Sequence, residues 1–470
     1  TMDNFKKIIR NLAMMKINAY FLYIEDMICF DENPRIGIGR GAFTKEEIHE
    51  LVSYARNYEI EIIPLFESLG HQDRIVKLPE YIDMCEGAGS FSFAPTDSRT
   101  LRLMERFYKE LAEIFPSTVI FAGLDETNDI GTGKSREAVE KIGYAKLYSD
   151  YYNGLNKIAK NLGKKLWIYG TLAIDYPEAL DLMDKDIVLV NYTFYGPNEG
   201  LEWWDNLYTY MPIIIEKGFT EVVSPGIWNW KMIFPNHVMA RKNIVELNKE
   251  GIEKGCTGTF ASSWCDEGGE NFREYSYYSY AMQSEYSWNA RNPIDEIDLA
   301  NAFGKQFFGT SKMGEAIYHL GKAENSFGNL MYYSLWSDKE KNPLFITTPD
   351  VKGDVSKMSL LRPKALECAD NYFRLLDECK KDIIKNGDNI QYLSFAAKRV
   401  YYVMEYTKTI ENKDSKEDFT NLYKKLIKEM TSLRDEFEFL WKKSCRIEGL
   451  DHNIDRINNH IDELKSKLNQ

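Results

Sequence analysis

The chain has 470 residues, 44% hydrophobic and 28% charged, enough to bury one barrel-sized core and a smaller second one. Its formal charge of -13 argues against nucleic acid and anionic membrane surfaces as partners, since both need a basic face, and no window approaches the roughly 18 uncharged apolar residues of a membrane span. Seven scattered cysteines without a C-x-x-C pair and six dispersed histidines argue against a disulfide framework or a metal site, for free thiols in a reducing, cytoplasmic setting, and for no cofactor.

Hydrophobic periodicity sets the order of elements. Residues 4–15 place Phe5, Ile8, Ile9 and Leu12 on one face of an amphipathic helix without a signal-peptide pattern; a signal peptide upstream of Thr1 stays open. Residues 17–24 form a strand ending in Glu25 and Asp26. A capping box at Thr44 and Glu47 opens a helix through residue 58, which turns Ile48, Leu51, Val52 and Ala55 inward. A strand over 60–66 ends at Glu67, with His71 just beyond. This strand–helix–strand unit has the length of a parallel crossover.

The unit then recurs. A helix over 96–115 leads into Val119, Ile120 and Phe121, uncharged as in a strand covered on both faces, and that strand runs into Asp125 and Glu126. Helices over 135–162, 177–183, 201–217 and 237–254 precede strands over 165–170, 187–193, 220–226 and 257–263, and a helix over 270–288 closes the run. The pattern predicts an α/β fold, a (β/α)8 TIM-type barrel. Seven strands are readable where eight are needed. The chain opens on the helix that would follow strand one, so that strand is expected upstream of Thr1, in a longer protein. A doubly wound open sheet is the rival, but no Gly-rich phosphate loop follows any strand.

Beyond about Arg291 the strand signal ends. The expected division is a catalytic barrel over 1–335, a linker over 336–355 and an all-helical bundle over 356–470. Long charged amphipathic helices are predicted over 364–384, 389–412, 416–441 and 452–468. They either pack on the barrel with a solvated outer face or serve as the dimerisation arm of a homodimer.

An adjacent Asp-Glu pair alone reads as a helix cap that satisfies free N–H groups. Position argues otherwise for Asp125 and Glu126, because the C-terminal strand ends of such barrels converge on one mouth. Those ends carry Glu25, Asp26, Glu67, His71, Asp125, Glu126, Trp167, Tyr169, Tyr192, Phe194, Tyr195, Trp228, Asn229, Trp230, Trp264, Asp266 and Glu267. Carboxylates among aromatic faces suit a carbohydrate, with acids meeting hydroxyls and Trp or Tyr stacking on a pyranose. Glycosidic cleavage needs an acid on the leaving oxygen and an anionic partner across the anomeric carbon. Adjacent side chains on a strand diverge, so this pair does not flank the bond as acid and nucleophile. It suits substrate assistance, in which the 2-acetamido oxygen attacks and the second carboxylate holds the acetamido nitrogen.

The runs KINAYFLYIED (16–26), TKEE (44–47), IP (63–64), LGH (69–71), GLDE (123–126) and SWCDEGGE (263–270) together resemble the catalytic domain of glycoside hydrolase family 20, in particular its hexosaminidase D-like and streptococcal intracellular branches. The likeness runs from about Met14 to Trp288 and extends to GLD (449–451). It implies that Glu126 is the general acid/base and that Asp125 orients and charge-stabilises the acetamido group. It further implies that Trp264 and Asp266 bind the C4 and C6 side of the sugar and that Trp228 and Trp230 wall the pocket; Glu25, from its strand end, joins them as a substrate-binding residue. His71 matches the family's Gly-His and either supports the site by hydrogen bonds or is a satisfied core histidine.

The departures are equally specific. Tyr169 and Tyr192 stand where the family carries tryptophans around the acetamido methyl, and Thr171 and Thr193 where acids are common, which implies a more polar pocket. The tyrosine that donates to the acetamido oxygen is Tyr195 or, second, Tyr192. The family's first-strand arginine has no counterpart here. The implied activity is that of an exo-acting retaining β-N-acetylhexosaminidase, releasing terminal β-linked GlcNAc and/or GalNAc through an oxazolinium intermediate. Its partner would be a glycan or glycoconjugate ending in N-acetylhexosamine. The alternative is a catalytically weak carbohydrate-binding or scaffold protein on the same barrel, since fold does not fix function; the intact Asp125–Glu126 pair weighs against it.

Overall fold

A computed structural model describes residues 1–196, 202–266, 271–327, 358–411 and 419–468. The expected linker over 336–355 and the predicted site residue Glu267 lie outside the described residues, as does the end of the SWCDEGGE motif. The chain forms two compact units, residues 1–224 with 246–260, and residues 225–245 with 261–470.

The first unit is built on a curled sheet of seven strands in chain order: β1 (Ala19–Ile24), β2 (Glu61–Phe66), β3 (Val119–Phe121), β4 (Lys165–Tyr169), β5 (Val188–Thr193), β6 (Thr220–Pro225) and β7 (Gly258–Thr259). The ladders are parallel, with Ala19 through Ile24 facing Glu61 through Phe66 and Val119 through Phe121 facing Lys165 through Trp167. Helices precede or connect them: α1 (Met2–Met14), α2 (Lys45–Arg56), α3 (Ser98–Ile114), α4 (Arg136–Asn161), α5 (Leu172–Asp175), α6 (Ala179–Leu182), α7 (Glu202–Glu216) and α8 (His237–Lys254), of which residues 246–254 belong to this unit. The predicted capping box closes both ways, Glu47 N to Thr44 Oγ1 at 3.2 Å and Thr44 N to Glu47 Oε2 at 2.9 Å. Strand β7 is shorter than the predicted 257–263. Beyond Thr259 the pairing thins to single contacts, such as Phe260 N to Val223 O at 3.1 Å.

Alternation sends Phe21, Phe121 and Trp167 to the inner face. There Phe21 stacks on Phe260 at 4.1 Å and 22° and meets Trp167 at 5.9 Å and Phe121 at 6.1 Å. Aromatic packing thus draws β1 toward the chain just past β7, while the described ladder of β1 runs along β2. On the outer face Phe66 meets Phe107 of α3 at 5.2 Å, both fully buried, each side chain contributing about 1.5–3 kcal/mol.

The second unit is helical among its described residues. Alongside the predicted α9 (Tyr277–Trp288) it contains α10 (Glu296–Phe307), α11 (Ser311–Leu320) and α12 (Ala323–Ser326), where the sequence suggested no helix. Gly304 and Gly314 explain the omission. Glycine reads as a breaker, yet here a Cβ on Gly304 would fall 2.3 Å from Gly314 N, and one on Gly314 would fall 1.7 Å from Ala300 O. The two glycines let α10 and α11 touch backbone to backbone. Four long helices follow, Met358–Cys379, Asn389–Glu411, Thr420–Ser444 and Leu450–Leu468, close to the four predicted. Phe272 seats against Tyr392 at 5.1 Å and Phe437 at 5.3 Å.

Candidate active site

In the first unit the main chain stays in the sheet past β3. Ala122 N donates to Trp167 O at 2.8 Å, Tyr169 N to Gly123 O at 2.9 Å and Ser68 N to Ala122 O at 3.0 Å. Then the backbone turns left-handed at Gly123 (φ 67), Leu124 (φ 74) and Glu126 (φ 50). This turn aims Asp125 inward, its side chain 12% exposed, and Glu126 outward at 63%. The divergence expected from strand pleating is present, but the left-handed turn produces it.

Helix α4 holds the turn from behind. Tyr152 donates to Leu124 O at 3.4 Å, Tyr148 to Thr127 O at 3.2 Å and Tyr151 to Ser68 O at 2.6 Å. Below it, Asp129 accepts from Phe91 N at 3.2 Å, Ser92 N at 3.1 Å and Ser92 Oγ at 2.5 Å.

His71, itself left-handed at φ 51, reaches the pair from the end of β2. Its Nε2 lies 3.5 Å from Glu126 Oε2 and 3.9 Å from Asp125 Oδ2. Burial pushes Asp125 up to about 6, a positive charge on His71 opposes that rise, and Glu126 adds to it. Glu25, at the end of β1, is also raised by burial and held down by the Tyr23 hydroxyl, which donates to it at 3.1 Å, and by His71. Tyr169 and Tyr192 meet edge to face at 4.9 Å and 71°. Burial pushes both hydroxyls well above their ordinary value, with Asp125 the next cause. Tyr195 is half-buried just past β5, and its carbonyl receives the Tyr208 hydroxyl at 2.8 Å.

The structure therefore gathers Asp125, Glu126, His71, Glu25, Tyr169 and Tyr192 at one end of the strands. It adds Glu67, fully buried, whose Oε2 accepts from Leu124 N at 3.2 Å. Burial first, and then Asp125, raise this carboxyl well above the usual range. Glu67 was visible at a strand end in the sequence but gave no sign of its partner. The α4 tyrosines gave none at all, because tyrosines at helical spacing read as core.

The tryptophans belong to the second unit, where Asn229 organises them. Trp228, left-handed at φ 51, stacks on Trp230 at 5.2 Å and 29°. Between them Asn229 donates to Ser263 Oγ at 3.2 Å and accepts from Trp264 N at 3.2 Å, and its carbonyl receives Asn271 Nδ2 at 2.6 Å. Trp264 is half-buried and Asp266 exposed. Among the described residues no group of three His, Cys, Asp or Glu side chains could hold a metal ion, and no helix is long and apolar enough to cross a membrane.

Residues 1–249 match the family model for the catalytic domain of glycosyl hydrolase family 20. The chain is 22% identical over 256 residues to a chitooligosaccharidolytic beta-N-acetylglucosaminidase of Bombyx mori and 24% identical over 272 residues to a beta-hexosaminidase of Vibrio furnissii. Each match covers 48% of this chain and 41% of the relative, so the chain aligns with less than half the length of these curated proteins. The crystal structure of Flavobacterium johnsoniae chitobiase superposes with a TM-score of 0.54 at 17% identity, covering 94% of this chain and 76% of that one, a likeness of fold.

Proposed function

The chain belongs to glycosyl hydrolase family 20, and from that premise we propose that it is an exo-acting retaining β-N-acetylhexosaminidase that releases terminal β-linked GlcNAc and/or GalNAc by substrate assistance. The observation that carries this reading is the single turn from which Asp125 points inward and Glu126 outward, with His71 Nε2 within 4 Å of both. In the proposed mechanism Glu126 protonates the leaving oxygen while the substrate's acetamido oxygen attacks the anomeric carbon. Asp125 holds the acetamido N–H and balances the positive charge of the oxazolinium. Water then opens that ring, with Glu126 taking its proton. A tyrosine donates to the acetamido oxygen; Tyr195, half-buried just past β5, is the first candidate, and Tyr192, buried against Tyr169, the second.

Glu25 and Tyr169 line the same end of the sheet, while Trp228, Trp230, Trp264 and Asp266 are proposed for sugar binding on the family likeness alone. The reading carries with it a (β/α)8 barrel over 1–335 and a helical bundle over 356–470. Chromogenic β-GlcNAc and β-GalNAc glycosides test it. Turnover that falls in Asp125→Asn is the expected result, and absence of turnover by the unaltered chain would leave a binding protein instead.

A further inference from the structure

We infer that Glu67 is a positioning residue for Asp125: its carboxyl keeps a proton and donates it to Asp125 Oδ1, leaving Oδ2 directed toward His71. This rests on the reading of Asp125 as the group that orients the acetamido substituent.

The hydrogen-bond inventory of the pair is the first support. Glu67 Oε2 is taken by Leu124 N at 3.2 Å. Glu67 Oε1 and Asp125 Oδ1 are both buried without a donor, in carboxyls close enough for each to act on the other's proton affinity. Ionised carboxylates only accept. Two such buried oxygens are satisfied together when one acid keeps its proton and gives it to the other.

Backbone geometry is the second support. A Cβ on Gly123 would lie 2.0 Å from Glu67 Oε2 and 2.2 Å from Oε1, so the Glu67 carboxyl fills the space that any other residue at 123 would need. The turn that aims Asp125 is formed around this carboxyl.

The surrounding charges are the third. Tyr23 and Glu25 face the pair from β1, His71 from beyond β2, Tyr108 from α3 and Glu126 from beyond β3, with Tyr152 of α4, Tyr169 of β4 and Tyr192 of β5 completing the ring. Of these only His71 can form a cation, and its nearest approach to the pair is to Asp125 Oδ2. A second negative charge on the pair would meet Glu25, Glu126 and a dry surrounding. One shared proton leaves a single negative charge, carried by Asp125, where the oxazolinium needs it.

The test compares Glu67→Gln with Glu67→Leu. An amide at 67 can accept from Leu124 N and donate to Asp125 Oδ1, so E67Q is expected to keep most of the wild-type kcat on activated and unactivated substrates alike. E67L lacks the donor and is expected to lose about 10²-fold in kcat, the usual effect of removing one preorganised donor. An infrared difference spectrum at neutral pH, wild type minus E67Q, should show the carbonyl stretch of a protonated carboxyl. E67Q falling as far as E67L, or a difference spectrum without that band, overturns the assignment. If E67L does not fold, the spectrum and the E67Q rate still decide. A wild-type chain that cleaves no β-N-acetylhexosaminide defeats the proposed function, whereas a missing band in an active enzyme defeats only the role of Glu67.

Discussion

Gly123→Ala gives the sharpest test of how the candidate site is built. Gly123 has φ +67, and an added Cβ would sit within 2.2 Å of both Glu67 carboxyl oxygens. The left-handed conformation alone costs about 1–2 kcal/mol for a residue with a Cβ. Pushing the carboxyl aside also strips Leu124 N–H of its acceptor in a buried setting, a further ~1–3 kcal/mol. The sum, roughly 2–5 kcal/mol, is a large share of the ~5–15 kcal/mol by which domains are stable. Gly163→Ala is the control, with φ +70 and nothing within 4 Å of its Cβ; it should show only the first of the two effects. The assay is equilibrium urea unfolding of both variants, alone and in a Glu67→Ala background. There the clash is gone, and G123A should lose its excess over G163A, a coupling of about 1–3 kcal/mol. Equal destabilisation by G123A and G163A, or simple additivity with E67A, would refute the reasoning.

Other expectations follow from the same geometry. Glu126→Gln should lower turnover of substrates with poor leaving groups by ~10²–10⁴-fold and largely spare activated aryl glycosides; equal loss on both would count against Glu126 as the acid. Asp125→Asn should slow both classes, since it weakens the attacking acetamido group whatever departs, and a near-normal rate would rule out substrate assistance. A thiazoline mimic of the oxazoline should inhibit far more strongly than the product sugar binds; a weak inhibition constant would favour a covalent glycosyl-enzyme. Glu324 in α12, raised by burial from 4.5 to about 8, stays protonated in the native state where the unfolded chain has already lost the proton. Its contribution is fully present below about 4.5 and declines as pH rises to about 8, with a slope of up to ~1.4 kcal/mol per pH unit. Urea midpoints measured across that range should flatten in Glu324→Gln, and an unchanged slope would contradict the burial argument.

Much of this was legible because local rules and tertiary context agree. Strands β1 to β6 and helices α1 to α4 were readable within a few residues, since period-two and period-3.6 patterns there coincide with true inner and outer faces. At Gly304 and Gly314 glycine serves contact instead of punctuation, and no local pattern distinguishes the two uses. Gly143, with φ 77 and ψ 161, likewise breaks what periodicity read as one continuous helix. Of the candidate site, the types and strand ends of Asp125, Glu126, Glu25 and His71 were readable. Their partners were not: that Leu124 N meets Glu67, or that Tyr152 meets Leu124 O, depends on elements 57 and 28 residues away in the chain, and nothing in composition or spacing records such a pairing.

The site's chemistry and its backbone strain fall on the same residues. His71, Leu124 and Glu126 are all non-glycine residues in the left-handed region, a conformation that each tolerates only when its surroundings over-determine it. Here the Leu124 unit is fixed from both sides, its N–H by Glu67 and its carbonyl by Tyr152, and Thr127, next to Glu126, is fixed by Tyr148. An extended backbone through 123–126 would carry Asp125 and Glu126 to opposite faces of the sheet, one toward the helices. The left-handed turn instead leaves one carboxylate buried and the other open, with a single imidazole near both. The strain at 124 and 126 is therefore the means by which two adjacent residues acquire different environments, and different environments are what the proposed mechanism requires, with one carboxylate carrying charge while its neighbour moves a proton.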